Sequence, residues 1–338
     1  MPLSVIVAPD SFKGSISARD AAAAIARGWS TARPHDAITQ LPQADGGEGT
    51  LDAVETAVAG SQRRWVRGVS GPDGAAVDAS WLSLPDGTAV VELAQSSGLP
   101  LMRSLDPLGA TTRGLGEVVR AVLATSPRRL LIGLGGSAST DGGLGVLAAV
   151  PTVDLEVVLL TDVTAPLLGP TGAAAVFAPQ KGATPAQVVE LQHRLEELAQ
   201  RLGGDPQAVG AGAAGGTAYG LATAWGARIV SGSEHIAVLT GLDTAMSAAD
   251  AAVTGEGRFD AQSMGGKTVG RVLDSAGRHA VACALIAGEV EAEFTGYSIS
   301  LSALAGSAEA AMADTAGWLE SAGARAAESV GQWALRIS

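Results

Sequence analysis

Three lysines are the residues of this chain whose type and placement first point to chemistry. The 338-residue sequence has 22 lysines and arginines, but only Lys13, Lys181 and Lys267 are lysines, each adjacent to a glycine. A lysine presents a compact ammonium group, whereas an arginine presents a planar fork, so a site that needs one point charge beside a phosphate oxygen distinguishes them. We therefore predict that the three lysines bind a phosphate or a carboxylate, with chance placement in loops as the alternative.

Acidic residues accompany small residues in four segments that we expect to be loops. These are Asp10 near Lys13, Asp45 with Glu48, Asp141, and Glu256 with Asp260. Glycine lets backbone amides approach a ligand, and carboxylates hold a divalent cation or accept a proton. Phosphoryl transfer requires this combination, because its catalysis is mostly positioning and neutralisation of oxygen charge. Taken singly, each loop could be a tight turn or a helix cap, and Asp141 and Thr184 suit an N-cap.

Residues 261–268 fit a relaxed P-loop pattern in which Ala261 replaces the first glycine. A P-loop joins a strand directly to its helix, but here we expect the preceding strand to end near Thr254. We therefore do not assign a P-loop. Lys267 at a helix N-terminus could still bind an anion through free amides and the helix dipole. The glycines at 133–136 lack the Gly-x-Gly-x-x-Gly spacing of a dinucleotide-binding loop.

The composition disfavours several function classes. A net charge of −12 and a pI near 4.8 argue against binding nucleic acid or an anionic membrane, since both reward basic patches. The 4 histidines are not spaced as metal ligands and no Gly-x-Ser-x-Gly segment occurs, which disfavours zinc and serine-hydrolase chemistry. Cys283 is the single cysteine, and no signal peptide or long apolar span is seen, so we expect a cytoplasmic protein.

Hydrophobic periodicity predicts strands that alternate with helices. The predicted strands cover 3–8, 37–42, 129–134, 156–161, 249–254, 280–286 and 297–301. The predicted helices cover 17–30, 50–59, 112–125, 184–203, 266–276 and a segment from about 307. Such alternation indicates a parallel sheet, and parallel sheets bind ligands at the carboxyl ends of their strands.

The pattern changes between Arg64 and Leu93, where short alternating strands indicate an antiparallel meander. This change and the chain length favour two domains, the second inserted into the first. The first, Rossmann-like α/β domain is predicted to comprise residues 1–65, 112–150 and 217–338. The second, inserted α+β domain is predicted to comprise 66–111 and 151–216, with the glycine-rich stretch 203–216 as a hinge or boundary loop.

Six segments in these loops resemble the bacterial glycerate kinase family. They read APDSFKGS at 8–15, ADGGEGT at 44–50, GLGGSA at 133–138, DGG at 141–143, PQKGA at 179–183 and TGEGRFDAQ at 254–262. The resemblance extends over nearly the whole chain. It implies a Rossmann-like domain with a second domain across a cleft, and ATP-dependent, Mg²⁺-dependent phosphorylation of D-glycerate, typically at the 2-hydroxyl.

Two features depart from the family pattern. Ala165 stands where the family often has asparagine, so a contact through that amide is absent here. The link between Leu144 and Asp154 is also shorter than usual. We expect the shorter link to affect cleft closure or subunit contacts while the chemistry is retained.

The resemblance and the residue types together suggest a role for each candidate residue. The predicted catalytic residues are Lys13, Asp10, Lys267 and Glu256, and the predicted metal ligands are Asp45 and Asp141. The predicted substrate- and nucleotide-binding residues are Ser11, Gly46, Gly47, Gly135, Gly136, Ser137, Lys181, Gly255, Arg258 and Asp260. We expect glycerate and ATP as partners, with no nucleic acid and no membrane, and homo-oligomer formation stays open.

Two other functions fit the same residues. One is a kinase of another small hydroxy acid, with the same loops and a different substrate pocket. The other is a non-catalytic protein that binds a nucleotide or carboxylate on the same fold. The sequence leaves the choice between the 2- and 3-hydroxyl open.

Overall fold

The structure is a computed structural model that describes residues 1–263 and 267–334. Its contacts divide the chain into two compact units. The first unit comprises residues 1–44, 52–59 and 233–338, and the second unit comprises 45–51 and 60–232. Both contain a β-sheet with helices, as expected for an α/β protein.

Strands and helices are numbered along the described chain. The strands are β1 Ser4–Val7, β2 Ala37–Gln40, β3 Gln62–Ser70, β4 Ala76–Ser83, β5 Thr88–Glu92, β6 Arg129–Gly133, β7 Glu156–Leu160, β8 Arg228–Val230, β9 Ala251–Phe259, β10 Ala282–Val290 and β11 Ser298–Ser300. The helices are α1 Ala18–Ala32, α2 Thr50–Ala57, α3 Ala94–Ser97, α4 Arg113–Leu123, α5 Leu144–Ala149, α6 Ala173–Phe177, α7 Pro185–Leu202, α8 Thr217–Trp225, α9 Gly232–Thr240, α10 Leu242–Ser247, α11 Thr268–Arg278, α12 Leu301–Ala305, α13 Ala308–Ala313, α14 Thr315–Glu328 and α15 Val330–Trp333. Short 3-10 helices cover Leu99–Leu101 and Pro179–Lys181.

The first unit is built on a five-stranded sheet in the order β11-β10-β9-β1-β2, and all its strand pairs are parallel. Alternate residues of β1 lie in different apolar clusters: Val5 and Val7 pack with residues of α1 and α14, whereas Ile6 packs with residues of α10 and α11. Both faces of the sheet are therefore buried, which is typical of parallel sheets.

Helix α1 shows how local signals and packing agree. The side chain of Ser17 accepts a hydrogen bond from the Asp20 backbone N–H at 3.1 Å and caps the helix, as predicted. Gly28 allows α14 to approach closely, because a Cβ atom at this position would lie 1.8 Å from the Glu320 carbonyl oxygen. The alanine-rich sequence therefore forms a helix that can pack at short distance.

The second unit is built on a six-stranded mixed sheet in the order β3-β4-β5-β6-β7-β8. Strands β3, β4 and β5 form the predicted antiparallel meander. Strand β5 also pairs in parallel with β6, β6 with β7, and β7 with β8. Helix α7 begins with a capping box formed by Thr184 and Gln187. The N-cap role suggested for Thr184 is confirmed.

The division by contacts differs from the predicted domain ranges. Residues 112–150 and 217–232 were expected in the Rossmann-like domain, but they belong to the second unit, as do 45–51 and 60–65. The reason is that β6 pairs with the meander strand β5 over five residues of each strand. Both units alternate strands and helices, so periodicity along the chain cannot assign a segment to one sheet or the other.

Strand β9 is longer than predicted. We expected it to end near Thr254, but it continues to Phe259 and pairs with β10 as far as Val290. Gly255 and Glu256 therefore lie in a strand and not in a loop. The glycines misled the prediction, because here they permit close strand contact: a Cβ atom at Gly255 would lie 2.0 Å from the Ile286 carbonyl oxygen.

Among the described residues, none of the helices is long and apolar enough to cross a membrane.

Candidate functional site

In the first unit, the turn after β1 lies beside the extended part of β9. The backbone N–H of Asp10 donates to the Gly255 carbonyl oxygen at 2.8 Å. A Cβ atom at Gly257 would lie 3.4 Å from the Lys13 backbone nitrogen, so the turn crosses the strand at a residue without a side chain. This arrangement brings the predicted catalytic residues Asp10 and Glu256 together at the carboxyl end of a parallel sheet, where such sheets bind ligands.

The pKa of the Glu256 carboxyl group is strongly raised. Burial is the largest cause and raises its pKa to about 7. The negative charges of Asp10 and Asp260 also raise this pKa, whereas the hydrogen bond with Ser263 and the Lys267 charge lower it. Its Oε1 atom is buried and has no hydrogen-bond partner among the described residues. A carboxylate with a pKa close to neutral can accept a proton at physiological pH.

The lysines of the first unit are exposed at the surface. Lys13 lies in the turn after β1, and Lys267 occupies the N-cap position of α11. The Lys267 ammonium donates to the Gln262 side-chain oxygen at 3.1 Å. Both ammonium groups are therefore accessible to an anionic ligand, and Lys267 acts at the positive end of a helix dipole.

Ser11 and Asp260 make local hydrogen bonds beside Glu256. The Ser11 backbone N–H donates to Asp10 Oδ1 at 2.6 Å, which orients that carboxyl group. Asp260 Oδ1 accepts from the backbone N–H groups of Gln262 at 2.7 Å and Ser263 at 3.2 Å. These bonds shape the turn after β9, and the ligand-binding roles of Ser11 and Asp260 stay predictions.

Arg258 projects from β9 toward acidic residues that follow along β10. Its guanidinium group pairs with Glu289 at 3.1 Å and Glu291 at 3.6 Å. The predicted contact of Arg258 with a nucleotide would therefore compete with two ion pairs.

In the second unit, the loop 45–50 lies across the carboxyl ends of β6 and β7. A Cβ atom at Gly46 would lie 2.5 Å from the Leu160 carbonyl oxygen, and one at Gly133 would lie 2.5 Å from the Gly46 carbonyl oxygen. The loop backbone thus contacts the strand ends directly, with no room for side chains. This edge of the sheet is where a parallel arrangement places ligands.

The second glycine loop, 135–137, packs on the first. The Gly135 backbone N–H donates to the Gly46 carbonyl oxygen at 3.0 Å, and a Cβ atom at Gly135 would lie 2.3 Å from Gly47 Cα. Gly136 adopts a φ of +75° and is exposed, while Ser137 pairs with Gly98 in an isolated β-bridge. The structure therefore brings together the two glycine loops that the sequence selected.

Asp45, one of the two predicted metal ligands, makes a side-chain hydrogen bond within its own loop. It is half-buried, and its Oδ1 accepts from the Gly47 backbone N–H at 2.9 Å. Among the residues described, no three His, Cys, Asp or Glu side chains are grouped to hold a metal ion. Mg²⁺ commonly uses one or two carboxylates together with substrate phosphates, so a single well-placed aspartate is compatible with it.

Asp141 is occupied by hydrogen bonds within the second unit. Its two oxygens accept five hydrogen bonds, from the N–H groups of Thr112, Gly143 and Gly145 and from the hydroxyl groups of Thr111 and Thr112. These donors lie at the starts of α4 and α5. The N-cap residue of α5 is Gly143 and not Asp141, which differs from the suggested N-cap role. The Asp141 carboxyl group instead ties the starts of the two helices together, and these contacts do not support the predicted metal-binding role.

Lys181 is buried, unlike the other two lysines. It is 3% exposed, and its ammonium donates to the Ser139 carbonyl oxygen. Burial lowers its pKa to about 8, and the Asp141 charge partly offsets this effect. This burial does not support the predicted phosphate contact, because the ammonium group is hydrogen-bonded to the backbone of the loop after β6 and is not exposed to a ligand.

Sequence reasoning missed Glu92 at the end of β5. It is 2% exposed, and its carboxyl oxygens accept from the Gly49 and Leu51 backbone N–H groups, each at 3.2 Å. The signal was present, since an acidic residue ends the apolar run Ala89–Val91. Acidic residues are seldom fully buried without a specific partner.

Two sequence predictions extend beyond what the structure tests. The relaxed P-loop segment and the predicted start of the helix at 266 include residues 264–266, which lie outside the described residues. Lys13 and Lys267 belong to the first unit and Lys181 to the second. The convergence of the three lysines on one ligand therefore stays a prediction.

Comparisons with known proteins relate the chain to one family. The model of the glycerate kinase family matches residues 5–152 and 151–331. A glycerate 2-kinase of Escherichia coli is 37% identical over 78% of this chain and 80% of the relative. A glycerate kinase of Bacillus subtilis is 37% identical over 85% of each chain.

A solved structure supports the same relationship at the level of the fold. The crystal structure of a putative glycerate kinase 2 from Salmonella typhimurium LT2 has a TM-score of 0.81 and 31% identity, covering 98% of this chain and 99% of that chain. The predicted fold class, α/β with parallel sheets and two domains, is confirmed.

Proposed function

Because the chain belongs to the glycerate kinase family, we propose that it transfers a phosphoryl group from ATP to the 2-hydroxyl of D-glycerate, giving 2-phosphoglycerate and ADP. The predicted family and the prediction that the chain is an enzyme are confirmed by the family match and by these relatives. The substrate, the nucleotide and the position of phosphorylation are our proposals, as are Mg²⁺ dependence and a cytoplasmic location.

The observation that carries the proposal is the environment of Glu256. Its carboxyl group lies in the extended part of β9 near the like charges of Asp10 and Asp260, and its pKa is about 7. One of its oxygens is buried and has no hydrogen-bond partner within the part of the chain that the structure describes. We assign it the role of accepting the proton of the attacking hydroxyl. Asp10 orients that hydroxyl, since its own carboxyl group is held by the Ser11 N–H.

The exposed lysines of the first unit supply the positive charge that this chemistry needs. Lys13 and Lys267 carry accessible ammonium groups, and Lys267 adds the N-terminal dipole of α11. We assign them to the glycerate carboxylate or to the phosphoryl group in transfer. In either position they neutralise oxygen charge, which is the main catalytic requirement of phosphoryl transfer.

The glycine loops of the second unit provide the proposed nucleotide site. Gly46 and Gly47 lie over the strand ends, and Gly135 and Gly136 pack beside them. We propose that Asp45, and not Asp141, would hold Mg²⁺, because the Asp141 oxygens already accept five hydrogen bonds. When bound with ATP, Mg²⁺ would neutralise phosphate charge at this loop.

The decisive experiment measures ADP release with D-glycerate, L-glycerate, glycolate and tartronate as acceptors. The proposal expects D-glycerate to give the highest kcat/KM, and phosphorus NMR of the product should show 2-phosphoglycerate. Higher kcat/KM for another acid would identify a kinase of a different hydroxy acid. Tight ADP or glycerate binding in calorimetry without turnover would identify a binding protein and refute the kinase assignment.

A further inference from the structure

Two charged side chains are buried in the part of the chain that the structure describes, Glu92 at 2% and Lys181 at 3% exposure. Both belong to the second unit, and both hydrogen-bond to the backbone of a loop at the carboxyl end of a strand. We propose that Glu92 is a positioning residue that fixes the loop 45–51 in the conformation that binds ATP and Mg²⁺. This inference rests on the function proposed above.

The two oxygens of the Glu92 carboxyl group each accept a hydrogen bond from one backbone amide of the loop. Oε1 accepts from the Gly49 N–H and Oε2 accepts from the Leu51 N–H, each at 3.2 Å. These amides flank the start of α2, so they would otherwise lack helical partners. A carboxylate is acceptor-only, which suits two donors, whereas a glutamine amide would turn an N–H₂ group toward one of them.

The position of Glu92 ties this loop to the sheet. Glu92 is paired with Gly133 across β5 and β6. The Gly46 carbonyl oxygen lies so close to Gly133 that a Cβ atom there would be 2.5 Å from it. The loop is therefore held near both ends, by the Gly135 N–H that donates to the Gly46 carbonyl oxygen at 3.0 Å and by Glu92 near Leu51. Since Asp45 lies within this held segment, the orientation of its carboxyl group depends on the same contacts.

Burial of the Glu92 carboxyl group has a free-energy cost that its hydrogen bonds must offset. Removing a carboxylate from water is unfavourable, and an apolar residue would suit this buried position at the end of β5 better. The hydrogen bonds from the Gly49 and Leu51 amides give this buried acid a direct effect on the shape of the loop. Hydrogen bonds to a charged acceptor are stronger and more directional than neutral ones, which favours a single loop conformation.

The test compares Glu92→Gln with Glu117→Gln in the full-length protein. Glu117 is the matched control, because its carboxyl group accepts from the Ser70 N–H at 2.7 Å in the same unit but outside the glycine loops. For Glu92→Gln we expect KM for ATP and the Mg²⁺ concentration for half-maximal rate to rise about tenfold or more, with KM for D-glycerate nearly unchanged. Glu117→Gln should leave all three values close to wild type.

Hydrogen exchange provides a readout that does not depend on turnover. In the wild type, the Gly49 and Leu51 amides should exchange slowly, and in Glu92→Gln the peptide covering 45–51 should exchange faster while Glu117→Gln leaves it protected. Rapid exchange of both amides in the wild type would overturn the proposal even if Glu92→Gln does not fold. Equal kinetic effects of the two variants on ATP and glycerate would also overturn it.

Failure of the proposed function would be recognised separately. If the wild type does not phosphorylate D-glycerate, the kinase proposal fails, but calorimetric titration with ADP and Mg²⁺ still tests the loop. Weaker ADP binding by Glu92→Gln than by Glu117→Gln would then support the positioning role. Equal ADP affinity of the two variants would refute it.

Discussion

The Lys181 ammonium donates a hydrogen bond to the Ser139 carbonyl oxygen inside the second unit. A lysine selected from the sequence as a phosphate ligand is thus a buried group that hydrogen-bonds to the loop after β6. Its charge is retained beside Asp141, although burial lowers its pKa to about 8.

Stability should depend on pH through Lys181. Its pKa is about 8 in the folded chain and has an ordinary value of 10.5, so between these values the unfolded chain binds more protons and the free energy of unfolding rises with pH. Lys181→Met removes this contribution. The stability of the wild type relative to Lys181→Met should increase by about 3 kcal/mol from pH 8 to pH 10.5 in chemical denaturation. A difference that does not change with pH would contradict the burial of a charged Lys181.

Glu256→Gln should remove the carboxylate that we propose accepts the proton of the attacking hydroxyl. We expect kcat to fall by about a hundredfold to ten-thousandfold, the usual contribution of a general base. In the wild type kcat/KM should rise with pH through about 7, because Glu256 must be ionised to accept a proton. The residual activity of the variant should lack that rise.

The folded state of Glu256→Gln provides the control. Because the pKa of Glu256 is raised above its ordinary value, its ionisation costs stability as the pH rises through about 7. The variant should therefore unfold at the same or a higher temperature than wild type at pH 8. A much lower melting temperature would attribute the loss of activity to misfolding.

The exposed lysines should not be replaceable by arginine. Lys13→Arg or Lys267→Arg should reduce turnover by about a hundredfold or more with little change in melting temperature, because the planar guanidinium cannot occupy a site shaped for one ammonium. Arg27→Lys is the matched control, since this exposed residue of α1 pairs with Glu320 at 3.0 Å. Wild-type rates for both lysine variants would remove these residues from the proposed mechanism.

Asp45 and Asp141 should respond differently to the same substitution. Asp45→Asn should raise the Mg²⁺ concentration for half-maximal rate by about tenfold and change stability little, because one internal hydrogen bond is at stake. Asp141→Asn should instead lower the free energy of unfolding by about 2 kcal/mol, since an amide N–H₂ would face N–H and O–H donors. Magnesium titrations and urea denaturation of both variants separate the two roles, and an inverted result would exchange them.

Local patterns made several features predictable from the sequence. The Ser17 cap and the Thr184 capping box depend on residues three positions apart, and both are found. The meander at 64–93 was recognisable from its turns. The alternation of strands and helices predicted parallel sheets, and the glycine loops carried the family resemblance.

The sequence by itself therefore determined the fold class, the family and the loops that could carry chemistry. Only the tertiary structure decided that 112–150 joins the second unit, that β9 extends through Glu256, and that Glu92 and Lys181 are buried. Strand pairing and burial depend on residues far apart in the chain, such as Lys181 and Ser139, which are 42 positions apart. A pattern within a short window contains no information about such distant partners. It could therefore select Lys181 as a notable residue without showing that its side chain is buried against Ser139.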